Sequence, residues 1–139
     1  MKNVKDKDYE KEIIEKCSIL YCMHDKPMTQ KCMCWGFECN SGWFSVIDEV
    51  SCKLEALNLI YYPKYKVRIQ ADQVKEKFGT LRFYFSVICE DVERTKEQEV
   101  IVTAMNSWAD EIVRCAEDEC YKTCEDCGHQ IGTDWSPRC

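Results

Sequence analysis

A chain of 139 residues that is 45% hydrophobic is long enough for one domain with a modest core. Its formal net charge of -6 argues against a protein that coats nucleic acid with its whole surface. No apolar run approaches the ~18 residues of a membrane span, and five scattered glycines leave no phosphate-cradling loop.

Residues 6–21 read as a first helix, because Ile13, Cys17, Leu20 and Tyr21 recur at helical spacing opposite Glu and Lys. Residues 22–40 are irregular and rich in Cys and Met, with Pro27 and Gly36 as breakers. Asn40 or Ser41 suits the N-cap of a second helix over 43–61. Trp43, Ile47, Val50, Leu54, Leu57 and Tyr61 give that helix an apolar stripe. Tyr62-Pro63 should end it, since the residue before proline is pushed out of the helical region.

Period-two alternation then marks two strands, through Tyr65, Val67, Ile69 and Ala71 and through Leu81, Phe83, Phe85 and Val87. Lys77-Phe78-Gly79-Thr80 holds the turn, where Gly79 supplies the special backbone angle, and the first strand extends through Gln73, Lys75 and Lys77. Residues 93–118 read as a long helix with Ile101, Ala104, Met105, Trp108, Ile112 and Cys115 as its buried stripe. The predicted fold is α+β in a single domain, 1–139. An N-terminal helix and Cys-rich loop (1–42) precede a helix–hairpin–helix core (43–118), with helices on one face of a small antiparallel sheet. A C-terminal zinc knuckle (119–139) follows. Trp43, Leu54, Phe83 and Trp108 should meet where two helices cover the sheet.

Twelve cysteines are far above ordinary usage. The first ten residues are charged and lack the apolar segment of a secretion signal, so the expected compartment is a reducing cytoplasm with thiols free or metal-bound. Cys17, Cys52, Cys89 and Cys115 read as small buried hydrophobes. One informative cluster is Cys32, Cys34 and Cys39, with a second metal there left open. The other is Cys120, Cys124, Cys127 and Cys139. Cys124-Glu125-Asp126-Cys127-Gly128 has the spacing of half a tetrahedral zinc site. Cys139 is the expected third ligand. Cys39 is preferred as the fourth over His129 and Cys120. A fully protein-ligated set would be structural. A zinc deaminase pairs its CxxC with an upstream His-x-Glu or Cys-x-Glu; Cys89 directly precedes Glu90 and His24 directly precedes Asp25, without that spacing, so a deaminase is not expected.

Charge is unevenly spread. Lys64, Lys66, Arg68, Lys75, Lys77 and Arg82 face only Asp72 and Glu76 within 64–82, whereas 90–119 is strongly acidic. Gln73, Lys75 and Lys77 on one strand and Arg82 and Tyr84 on the next combine cations, a planar guanidinium and an aromatic. That set suits a phosphate with a stackable base. The plainer alternative is a solvated sheet face with cross-strand Lys–Glu pairs, Glu76 being the obvious partner. If Gln73 and Lys75 point outward, Val74, Glu76 and Phe78 alternate inward. The two histidines, His24 and His129, belong to no nucleophile motif, so a non-enzymatic role is expected.

Three segments carry a resemblance: Trp35-Gly36-Phe37-Glu38-Cys39 with Gly42-Trp43-Phe44, then Gln73 through Tyr84 (QVKEKFGTLRFY), then Cys124 through Gly128. Over residues 33–139 the chain resembles a family of small phage and prophage proteins with a zinc-ribbon-like C-terminus. The resemblance implies a phage protein acting in the cytoplasm of an infected bacterium. The expected function is a non-enzymatic binding protein with structural zinc that antagonises host defence by capturing an anionic, nucleotide-like ligand. One alternative is a zinc-ribbon regulator of nucleic acid or the transcription machinery. Another is an inhibitor of a host protein, with the acidic helix mimicking a charged partner. Expected partners are an anionic small molecule or a host protein. Nucleic acid is less favoured, no membrane is expected, and a homo-oligomer is left open.

Overall fold

The computed structural model describes residues 2–26 and 32–131; Pro27 and Cys139 lie outside the described residues. The elements are α1 (Val4–Lys16), β1 (Phe37–Glu38), α2 (Phe44–Tyr65), β2 (Val67–Lys77), β3 (Thr80–Cys89) and α3 (Lys96–Tyr121). Short 3-10 turns, Cys32–Trp35 and Ser41–Trp43, flank β1. The fold is α+β as expected. α2 packs on β2, α3 packs on β3, and the two helices contact one another. Among the described residues, no helix is long and apolar enough to cross a membrane.

α1 starts at a capping box in which Asn3 accepts from the Asp6 N–H and Asp6 accepts from the Asn3 N–H. It stops at Lys16, not at residue 21. The N–H groups of Ile19 and Leu20 donate to the Glu55 carboxylate at 3.0 Å each, which draws the chain out of helical pairing. Ile13, Cys17, Leu20 and Tyr21 are all buried even so. α2 runs past Pro63 to Tyr65. The missing Pro63 N–H frees the carbonyl of Leu59, on the exposed side of the helix where water can satisfy it. Lys66, with φ of 58°, ends α2 in the left-handed region. Neither Asn40 nor Ser41 caps α2, whose N-cap is Trp43. α3 begins later than expected, at a Thr95–Gln98 capping box.

The sheet is mixed, in the order β1-β2-β3. β2 and β3 form the antiparallel hairpin, and β1 adds a parallel pair at Phe37↔Val74 and Glu38↔Lys75. A bulge at Asp72 breaks the register between Ala71↔Phe85 and Gln73↔Tyr84. One extra residue shifts the side-chain phase. Val67, Ile69 and Ala71 face the core before the bulge and Val74 after it, so Gln73 and Lys75 turn to the outer face. Asp72 itself accepts from Gln70 Nε2 at 2.7 Å and from the Ser86 hydroxyl.

The other edge of β2 is closed group by group. Asn58 on α2 takes the Ile69 N–H at 2.7 Å and donates to the Ile69 carbonyl at 3.0 Å, standing in for a neighbouring strand. The Ala71 N–H donates to the Leu20 carbonyl. Glu55 accepts from Asn58 as well as from the two N–H groups named above.

Trp43, Leu54 and Phe83 share the core as predicted, but Trp108 does not. It is 42% exposed and lies against Tyr61, ring centroids 5.6 Å apart. The buried line of α3 runs through Gln98, Met105, Ala109, Val113, Ala116 and Cys120. The predicted stripe was thus rotated by about one position, toward the small buried Ala109 and Ala116. Of the cysteines expected to be buried, Cys17 is. Cys89 is half-buried, and Cys52 and Cys115 are exposed.

Candidate functional site

The register brings the five predicted ligand residues onto one face. Lys75 lies opposite Arg82, Gln73 opposite Tyr84 and Lys77 opposite Thr80. Lys77, Arg82 and Tyr84 are exposed, while Gln73 and Lys75 are half-buried. Of the ion pairs among the described residues, none involves Lys75, Lys77 or Arg82. Glu76 is not the expected cross-strand partner. Its carboxylate accepts from the Gly79 N–H at 2.6 Å and holds the turn. Nor does Phe78 point inward. The amide of Gln73 is engaged by Glu38 at 3.1 Å, which leaves the three cations and Tyr84 as the open groups of the face. Glu117 on α3 accepts from the Phe83 N–H at 3.1 Å. Burial raises its pKa, partly offset by that bond and by the charge of nearby Arg82.

Sequence reading missed Phe78. It is 86% exposed at the hairpin tip with φ of 54°, beside Gly79 with φ of 79°. Two left-handed residues make the turn that matches strand twist, and Asn or Gly normally fills both positions. A bulky residue there costs about 1–2 kcal/mol. Lys77 Nζ lies 5.6 Å from the Phe78 ring centroid. A Phe where the turn asks for Asn was the available signal: a strained, exposed aromatic contributes little to this fold and can serve contact with something else.

The three motif segments behind the resemblance converge in part. Residues 123–130 form a tight loop, with Thr123 bridged to Gln130, the Cys124 N–H donating to the His129 carbonyl and the Gly128 N–H to the Cys124 carbonyl. This loop docks on residues 40–43. The Gly42 N–H donates to the Glu125 carbonyl at 2.6 Å, the Asn40 N–H to the Glu125 carboxylate at 3.0 Å, and Trp43 Nε1 to the Thr123 carbonyl at 2.9 Å. Asn40 Nδ2 donates to Asp126 at 2.7 Å, which is what that side chain does in place of capping α2. A Cβ on Gly42 would overlap the carbonyl oxygens of Cys124 and Glu125.

Of the expected zinc ligands, Cys124 is buried and Cys127 exposed in this loop, and His129 Nδ1 lies 3.2 Å from Cys127 Sγ. Cys39 and Cys120 are buried. Burial, with Glu125 nearby, pushes the Cys39 thiol up to about 12. Burial also raises Cys120, with Cys39 the next cause, so these two thiols are neighbours. Among the described residues no three His, Cys, Asp or Glu side chains gather to hold a metal ion, and Cys139 lies outside them. The described residues alone therefore do not make a metal site. Compared with protein-family models, curated proteins and solved structures, the chain finds no match.

Proposed function

We propose that this chain is a non-enzymatic binding protein that captures an anionic, nucleotide-bearing partner on the outer face of the β2–β3 hairpin. The observation that supports this reading is the pairing of Lys75 with Arg82 beside exposed Tyr84, with no ion pair to either cation among the described residues. Glu117 and Glu38 lie nearby without forming an ion pair to these cations among the described residues, so the paired cations keep charge that a phosphate can take up. Tyr84 offers a ring for base stacking. On this reading, capture serves antagonism of host defence, a role suited to the phage accessory protein that the resemblance implies. A structural zinc on Cys124, Cys127 and Cys139 completes the proposal by pinning the knuckle. Elemental analysis of untagged protein should then find about one zinc per chain, and finding neither zinc nor iron removes that part.

The test of capture is calorimetry with a panel of nucleotides and cyclic nucleotides, repeated on Lys75→Ala and Arg82→Ala. A hit lost in both variants supports the proposal. No hit, or a hit indifferent to both, rejects it. A second reading, single-stranded nucleic acid, is favoured by Phe78. It adds a second exposed ring, at the tip of the same basic hairpin that carries Tyr84. Oligonucleotide binding that weakens steeply with salt, and is lost in Phe78→Asn, would select it.

A further inference from the structure

The sheet order β1-β2-β3 makes β3 an edge strand, with no strand beyond it among the described residues. Which of its main-chain groups are open follows from the register. In an antiparallel pair, opposed residues aim their N–H and C=O groups either toward one another or both away. Ile69 gives both of its groups to Asn58, and Ala71 gives its N–H to Leu20, so both residues point away from β3. Their partners Val87 and Phe85 therefore point away from β2, along the outer edge. The Phe83 N–H points the same way and is taken by Glu117 at 3.1 Å. The outward groups of Phe85 and Val87 have no partner among the described residues. Edge strands are ordinarily blunted by Lys, by Pro or by a covering element. From Phe83 to Cys89 this strand has neither Lys nor Pro. Beside the open edge lies a groove of about 550 Å³, lined by Phe83 and Phe85 from the strand and by Asp110, Val113 and Glu117 from α3. Arg114 on the same wall is paired with Glu111, and Arg82 lies near Glu117. Asp110 has no ion pair among the described residues, so the helix wall remains acidic.

We propose that the open edge of β3 takes an extended, basic peptide segment of a partner protein as an added strand. Main-chain pairing with Phe85 and Val87 supplies affinity that any sequence can use, and the groove beside them supplies selectivity. Alternate side chains of the added strand fall on the α3 side of the sheet. A Lys or Arg placed there lays its methylene stem on Phe85 and Val113 and brings its charge to Asp110 or Glu117. An acidic segment meets like charge at the same wall. The edge is separate from the outer face of the hairpin, so this docking stands or falls independently of nucleotide capture.

The test is amide hydrogen exchange, read by NMR on the full chain, alone and with a capped peptide of about eight residues alternating Lys and Val. Alone, the Phe85 and Val87 amides should exchange at least about 100-fold faster than those of Ser86 and Ile88, which face β2. The peptide should slow Phe85 and Val87 by about tenfold or more. A Glu–Val peptide should leave them unchanged, and so should at least one of the two Lys–Val peptides N-methylated on alternate residues. Asp110→Lys, a charge reversal at an exposed position, should weaken binding about tenfold. Val87→Pro removes an outward N–H without touching the β2 ladder and should abolish the slowing at Phe85. No slowing at about 1 mM peptide, equal slowing by the Glu–Val peptide, binding indifferent to Asp110→Lys, or binding that survives N-methylation in both phases overturns the proposal. Slowing that appears with protein concentration alone also overturns it, and assigns the edge to a second copy of this chain. Should Val87→Pro fail to fold, the N-methylated peptides decide the matter.

Discussion

Before the bulge at Asp72, the free edge of β2 is finished by Asn58 and the Leu20 carbonyl; after it, the outer face of the same strand carries cations that form no ion pair among the described residues. In the first half every polar group in view has a partner inside the domain, including a buried Glu55 that binds three donors. In the second half Lys75 and Arg82 lie opposite one another with Glu38 and Glu117 nearby but not in an ion pair with them among the described residues, and a strained Phe78 sits at the tip. Evolved domains satisfy buried polar groups because leaving them unmade is expensive. Strain persists where it does something other than hold the fold together. The bulge separates a stretch of strand whose edge is closed by the domain from one whose outer face keeps exposed cations.

The sharpest way to break this contrast is Asn58→Ala. It strands the buried N–H and C=O of Ile69 and should cost about 3–5 kcal/mol in chemical denaturation. A loss below about 1 kcal/mol would mean that this edge is not closed as described. Leu54→Ala, in the same half of the core, should cost about 2–5 kcal/mol by leaving a cavity. Trp108→Ala should cost clearly less than Leu54→Ala, since half-exposed Trp108 leaves no enclosed void, and equal losses would restore Trp108 to the core.

On the open half the expected effects move from folding to binding. Arg82→Ala should leave stability within about 0.5 kcal/mol. Losing its charge-assisted contact, worth roughly 1.5–3 kcal/mol, should weaken capture of a nucleotide hit about 10- to 100-fold. A large loss of stability would instead make Arg82 a structural partner of Glu117. The smallest effect carries the opposite sign. Phe78→Asn relieves the left-handed strain and should raise stability by up to about 1 kcal/mol while weakening binding. If stability falls, the ring is packing on the hairpin and is not held out for a ligand.

The candidate face was legible to an unusual degree, because cations and an aromatic at i, i+2 spacing on two strands must share a side once the strands pair. Glu76 was misjudged because its role depends on where the turn places the Gly79 N–H, a short-range geometry that alternation does not encode. The tight turn of residues 124–128 was legible from Cys124, Cys127 and Gly128, but the described residues do not gather the metal ligands expected there. Its docking on Gly42 was not, although both motifs had been noticed, since nothing in either segment names the other.

Local chemistry was enough to establish the α+β class, the existence of α1, α2, the hairpin and α3, and most of the α2 stripe, because periodicity and turn residues are written within each segment. Three things needed the folded chain. The parallel strand β1 joins residues 37–38 to 74–75. The bulge at Asp72 reverses which side of β2 faces solvent. The rotation of α3 buries Ala109 and Ala116 in place of Trp108. Each is settled by how two distant surfaces fit, where burying well-matched small side chains and satisfying a strand edge outweigh the preference of any single segment.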